Sequence, residues 1–137
     1  MSHHCHNLLM TCIDFRFHEA IQKWVKENGL TNDFDLVSLA GVQKSLLDED
    51  TRATVLKQLE ISSRLHGIET VIFVAHQDCG AYGGSKVFVN FEEEKAKYLA
   101  DMIAAGAIIK ETLPNLQVKK LMLTFNEETG AVAISEL

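Results

Sequence analysis

Apolar and polar positions along the chain follow two alternating periods. Residues 7–12 (N-L-L-M-T-C) form a continuous apolar run, the pattern of a short strand buried on both faces. From Phe17 the period changes: Phe17, Ala20, Ile21, Trp24 and Val25 share one helical face, with Lys23, Lys26 and Glu27 outside, and Asn28-Gly29 supplies a left-handed stop. Residues 34–39 form a second strand that turns out through Ala40-Gly41. The acidic group Asp48 to Thr51 suits a helix N-terminus. The helix it opens runs to about His66, with Val55, Leu56, Leu59 and Ser63 inward, and Gly67 ends it.

A third strand, 70–75, is an unbroken apolar run leading into His76, Cys79 and a glycine cluster. Residues 91–113 predict a long helix closed by Pro114, with Leu99, Met102, Ile103, Gly106 and Ile109 on its core side. Ala104, Ala105 and Ile108 widen that face toward a partner surface. Residues 118–125 and 131–135, joined by a turn at Asn126 to Gly130, predict a closing antiparallel hairpin. The order β-α-β-α-β-α-β-β favours an α/β, doubly wound, mostly parallel sheet of order 2-1-3-4, with helices on both faces and a C-terminal antiparallel strand. No linker divides it, so residues 1–137 are expected to form one domain, with 1–6 a mobile tail rich in His and Cys.

At 137 residues with 47% hydrophobic positions, the chain supports one real core. A formal net charge of −6 argues against a general binder of nucleic acid or of anionic membranes. The longest mostly apolar segment, Met102 to Ile109, is too short to span a bilayer. Met1 to Asn7 lacks the basic start and apolar stretch of a secretory signal, which places the protein in the cytoplasm as an expectation. Three cysteines, Cys5, Cys12 and Cys79, are too few and too sparse for a disulfide framework.

The chemistry gathers at two strand ends. The first strand ends in C-I-D-F-R, giving Cys12, Asp14 and Arg16; the third ends in H-Q-D-C-G, giving His76, Cys79 and Gly80. In a sheet of this order those strands are neighbours, and their carboxyl ends flank the switch point where such folds bind ligands. Cys12 or Cys79 alone is more often a small core residue, and His76 alone a satisfied polar one. Together, two thiolates and an imidazole suit zinc and leave a fourth position open, as at catalytic zinc sites. Asp14 is placed to occupy that position or to accept a hydrogen bond from zinc-bound water, and Arg16 to hold Asp14 as a bidentate pair. Zinc acidifies bound water toward neutrality and so supplies a hydroxide nucleophile.

C-I-D-F-R followed by H-Q-D-C-G-A resembles the β-class carbonic anhydrase signature, Cys-x-Asp-x-Arg and His-x-x-Cys-Gly. D-F-D-L-V-S-L-A-G is similar to that family's second strand and its Ala-Gly turn. The segment 59–81 follows its helix-strand-ligand region, and 121–134 its terminal hairpin. The resemblance implies reversible hydration of CO2 to bicarbonate, zinc held by Cys12, His76 and Cys79, an orienting or resting-state role for Asp14, and Arg16 as its partner. It also implies a homodimer or higher homo-oligomer with sites near the subunit interface. The chain departs from the family where Ser38 and Leu39 replace an Arg-Asn pair and Val42 replaces the Asn after Gly41. It also departs in a short segment from Gly84 to Phe91 and in a start close to the first strand, without the family's helical arm.

The apolar Leu39 and Val42 motivate a CO2-like substrate, carbonyl sulfide or carbon disulfide, as an alternative. The altered pocket motivates a second, a non-catalytic zinc-binding oligomer, and Cys12 with Cys79 a third, a redox dithiol. His18, His66 and Tyr82 are candidate proton relays, though ordinary packing suits each. Gly80 is a turn residue whose loop could bring N–H groups to an anion. His3, His4, Cys5 and His6 carry metal-binding chemistry that a mobile tail would express only adventitiously.

Overall fold

A computed structural model describes residues 2–137. Five strands, β1 (Asn7–Thr11), β2 (Phe34–Ser38), β3 (Thr70–His76), β4 (Gln117–Phe125) and β5 (Val132–Glu136), form one sheet in the order β2-β1-β3-β4-β5. The first three pairings are parallel and β4-β5 is antiparallel, as the pattern predicts. Four helices connect them: α1 (His18–Glu27), α2 (Lys44–Leu47), α3 (Glu49–His66) and α4 (Phe91–Thr112). No helix among the described residues is long and apolar enough to cross a membrane.

Strand alternation splits the core in two. Leu8, Met10, Val71, Phe73 and Ala75 face α3 and α4, where they meet Val55, Leu59, Tyr98, Met102 and Ile109. Leu9, Ile72, Val74 and Leu121 face α1, where they meet Phe17, Ile21 and Val25. With both faces covered, the central strands are continuous apolar runs, which is why their period is silent in the sequence. Register sets Thr11 beside Val74, so β1 gives out two residues before β3 does, and the next residues of both chains project from the same sheet end.

Three expectations need correction. Ile103 is 57% exposed, because the face of α4 turned to the sheet is Tyr98, Met102, Ala105 and Ile109, and position 103 lies about 100° off Met102. On α3 the buried serine is Ser62 rather than Ser63, and it is kept there by donating to Asp35. The tail expected over residues 1–6 is instead docked at Cys5 and His6. Cys5 N–H donates to the His66 carbonyl at 3.1 Å, and the His6 carbonyl accepts from the N–H groups of Glu69 and Thr70 at 2.8 and 3.1 Å. Those bonds tie the residues before β1 to the fold, and Cys5 is buried. Met1 lies outside the described residues.

Candidate metal centre

Past Thr11 the chain leaves β1 carrying Cys12, and past Val74 the longer β3 carries His76, with Cys79 one turn further on. The donor atoms of Cys12, His76 and Cys79 lie within 4.8 Å of one another, and all three residues are buried. His76 Nδ1 donates to the Gln77 carbonyl at 2.7 Å, which fixes the tautomer and leaves the Nε2 lone pair free. That Nε2 is a buried nitrogen without a hydrogen-bond partner. A buried polar atom of this kind costs stability unless it has something to bind. The Phe17 ring, tilted 31° at 4.4 Å, packs on the imidazole and holds its plane.

The three groups are electrostatically linked. The Cys12 thiol is pushed down by a hydrogen bond from Cys79 and then, against burial, by His76. Cys79 is pushed up by the same sharing and by burial. Burial alone would lower His76, but the Cys12 sulfur and the Gln77 carbonyl outweigh it and raise the group. Two sulfurs and an imidazole nitrogen within 4.8 Å of one another make a donor set that a soft or borderline cation can take over. The residues present fit zinc, with three protein donors and one position left for another ligand.

Asp14 stands beside this set, its Oδ2 3.8 Å from His76 Nε2. Arg16 holds it through Nε to Oδ1 at 3.0 Å and Nη2 to Oδ2 at 2.7 Å, while the Arg16 backbone N–H donates to Oδ1 at 3.0 Å. These bonds hold the Asp14 carboxyl down to about 2. Arg16 has a second anchor that the sequence reading left out: Nη1 donates to Asp78 Oδ2 at 2.9 Å and Nη2 to the Asp78 carbonyl at 3.1 Å. Arg16 therefore ties the loop after β1 to the loop after β3, which is the juncture the site depends on.

Asp78, between His76 and Cys79, has φ +58, a left-handed conformation that Asp adopts more readily than most residues. Its N–H donates to Glu94 Oε1 at 2.6 Å, and its Oδ1 accepts from Ser85 N–H at 2.8 Å. Gly84 is required here, since a Cβ on it would meet Asp78 Oδ1 at 2.9 Å. Buried Glu94 also accepts from Ser85 Oγ and from the Tyr98 hydroxyl, and that hydroxyl accepts the Cys79 N–H at 3.3 Å. Helix α4 thus braces the ligand loop through a polar cluster. The signal for it was present as polar residues at 94, 98 and 101, which continue the helical face of Met102, Ala105 and Ile109.

Tyr82 donates to Asp101 at 2.8 Å and accepts from Gln43 at 3.0 Å, and burial with the Asp101 carboxylate raises its hydroxyl further out of range of a relay. His66 pairs with Asp35 at the opposite end of the sheet, and His18 is exposed on α1. Of the departures from the family pattern, Ser38 Oγ donates to the Cys12 carbonyl at 3.2 Å, while Val42 is buried and Leu39 packs against the same core. An open depression in front of Asp14 is lined by Arg16, Asp78, Gly80, Gly83, Gly84 and Lys86. Neither Leu39 nor Val42 contributes to that lining.

Residues 2–133 match the family described as "Putative carbonic anhydrase". An uncharacterized protein of Rickettsia conorii is 34% identical over 122 residues, which cover 85% of this chain and 66% of that protein, so the chain spans just under two thirds of it. A second uncharacterized protein, from Rickettsia bellii, is also 34% identical over 122 residues and is 74% covered. Among solved structures, a tetrameric β-carbonic anhydrase of Sordaria macrospora superimposes with a TM-score of 0.62 at 14% identity, covering 97% of this chain and 80% of that one. A β-carbonic anhydrase of Aspergillus fumigatus gives 0.50 at 16% identity, covering 96% and 76%. At these identities the structural likeness speaks for the fold.

Proposed function

Because the chain belongs to this carbonic anhydrase family, we propose that it holds one zinc ion through Cys12, His76 and Cys79 and catalyses reversible hydration of CO2 to bicarbonate in the cytoplasm. The observation that carries the reading is the orphaned, buried Nε2 of His76 converging with two sulfurs beside a clamped carboxylate. Zinc, when bound, supplies acidified water as the nucleophile.

The chain's own residues do the rest. Arg16, anchored on Asp78, keeps both Asp14 oxygens engaged and the carboxylate ionised, so Asp14 serves as a hydrogen-bond acceptor that orients the attacking oxygen. The Cys79 N–H is used by Tyr98, so the ligand loop enters the reaction already satisfied and rigid. The depression bordered by Gly80, Gly83 and Gly84 gives a small linear substrate a path past Asp14. A homo-oligomer, the assembly of the Sordaria macrospora relative, suits the exposed Ile13, Phe15, Val87 and Val89, which are apolar residues in the site's own loops. Leu39 and Val42, the apolar replacements that motivated carbonyl sulfide or carbon disulfide, pack into the core cluster that holds Cys12 and Cys79 and do not line the depression.

Zinc content and stopped-flow CO2 hydration test the reading together. Wild type is expected to carry one zinc per chain and to turn over, and Asp14→Ala to keep the zinc while losing about 10²-fold or more of the rate. Stoichiometric zinc with no hydration above buffer around pH 7 to 9 would overturn the enzymatic reading.

A further inference from the structure

The N-terminal segment enters β1 through a bend at His6, and its side chains divide between two sides. His3 and Cys5 turn toward His66 and Asp35; His4 and His6 turn the other way, their rings 4.7 Å apart and edge to face. The two sides differ in their state. Asp35 Oδ2 already accepts from Ser62 Oγ at 2.5 Å and from His66 Nδ1 at 2.7 Å, so in the cluster with Cys5 the carboxylate and the imidazole are committed to each other. On the other side only His6 is engaged, through Nδ1 to Asp33. His4, His6 and Glu69 bring three ligand atoms within 4.8 Å of one another. Among the described residues, neither the His4 ring nor the Glu69 carboxylate has a hydrogen-bond partner.

The backbone builds this grouping. The His6 carbonyl accepts from the Glu69 and Thr70 N–H groups, which sets Glu69 beside His6. His6 Nδ1 faces both oxygens of Asp33 at 2.8 and 3.0 Å, and its backbone N–H donates to Asp33 Oδ1 at 2.9 Å. In the neutral ring with its proton on the nitrogen that faces the carboxylate, Nε2 is the atom that presents a lone pair. This is the carboxylate–histidine arrangement that orients metal-binding imidazoles. The His4 ring lies over Gly67, where a Cβ would come within 3.0 Å of its Nδ1. Gly67 caps α3 in the left-handed conformation, so the residue that ends the helix also makes room for the ring.

We propose that His4, His6 and Glu69 form a binding site for a single divalent ion of the zinc, nickel and copper group, with Asp33 as the positioning residue for His6. Two imidazoles and a carboxylate match those ions in ligand type. Bonds of about 2.0–2.2 Å in a tetrahedral array separate donors by about 3.4 Å. Closing from 4.8 Å takes rotations of about 1 Å, which exposed side chains make freely. One coordination position stays with solvent. Exposure makes the ion exchangeable, unlike one enclosed at Cys12, His76 and Cys79.

The test titrates the full-length protein with Ni2+ and with Zn2+ by calorimetry and reads the difference in stoichiometry between wild type and variants, so the result does not depend on what Cys12, His76 and Cys79 hold. Wild type is expected to bind one more equivalent than His4→Ala or Glu69→Gln, two exposed substitutions that leave the fold and the CO2 hydration rate unchanged. Asp33→Asn is expected to keep the equivalent but weaken it about 10- to 100-fold. Bound Cu2+ is expected to show coupling to two imidazole nitrogens by electron paramagnetic resonance. Equal stoichiometry in wild type and His4→Ala, or a thiolate charge-transfer band placing the ion on Cys5, would overturn the assignment.

Discussion

At the carboxyl end of β1 and β3, Cys12, His76 and Cys79 are 7%, 2% and 3% exposed; at the amino end of the same strands, His4, His6 and Glu69 are all exposed. Both groups bring donors to a common point, but only the first is held by a second layer of bonds. Arg16 ties one ligand loop to the other, and Glu94 and Tyr98 brace the backbone between His76 and Cys79. At the amino end a single carboxylate, Asp33, orients a single ring. The contrast separates the identity of ligands from their preorganisation, which is the part that burial and supporting bonds contribute.

The widest gap should come from ligand deletion. Cys79→Ser is expected to lower zinc affinity at the carboxyl end by about 10²- to 10³-fold, beyond the roughly 10- to 100-fold effect of Asp33→Asn on the ion at the amino end. Competition against a chelator measures both, and equal losses would erase the distinction between the two ends. Next comes the brace. Glu94→Ala strands the Asp78 N–H and the Ser85 and Tyr98 hydroxyls in a buried setting, and is expected to cost about 2–4 kcal/mol in urea denaturation. A cost below about 0.5 kcal/mol would show that the loop is rigid without α4.

A smaller effect is expected at Asp35. Burial acts to raise its carboxyl, but the hydrogen bonds from Ser62 and His66 prevail and leave it below the ordinary carboxylate value. A depressed carboxyl stabilises the fold above the unfolded value, near pH 4, and the contribution is lost as pH falls through the folded value. Asp35→Asn is therefore expected to cost about 1 kcal/mol at neutral pH, with the difference from wild type shrinking on acidification. A difference that grows toward acid would reverse the sign of this argument.

The fold was legible because each apolar run is contiguous and each helix keeps its period. The convergence of Cys12, His76 and Cys79 was legible because each half is a short motif at a strand end, so that adjacency of strands one and three was enough to join them. The second arm of Arg16 was not, since Asp78 sits between two ligands and reads as a turn residue. Glu94 was missed because a carboxylate in the first turn of a helix reads as solvated. Its burial follows only from the ligand loop folding over it. Ile103 shows the converse: an apolar residue is assigned inward by type, whereas its exposure depends on which turn of α4 meets the sheet. Cys5 and His6 gain their places from backbone bonds to His66, Glu69 and Thr70, and a pairing of that kind leaves no mark on side-chain pattern.

The length of β1 has a further consequence. Seven residue steps lead from Cys5 to Cys12, a span of up to about 23 Å at about 3.3 Å per residue. Salt does not enter the buried strand, so distance does the separating: at an effective dielectric constant of about 20, unit charges about 23 Å apart interact by about 0.7 kcal/mol. The strand acts as a spacer, and each end can gain or lose a cation with little change in the electrostatics of its counterpart.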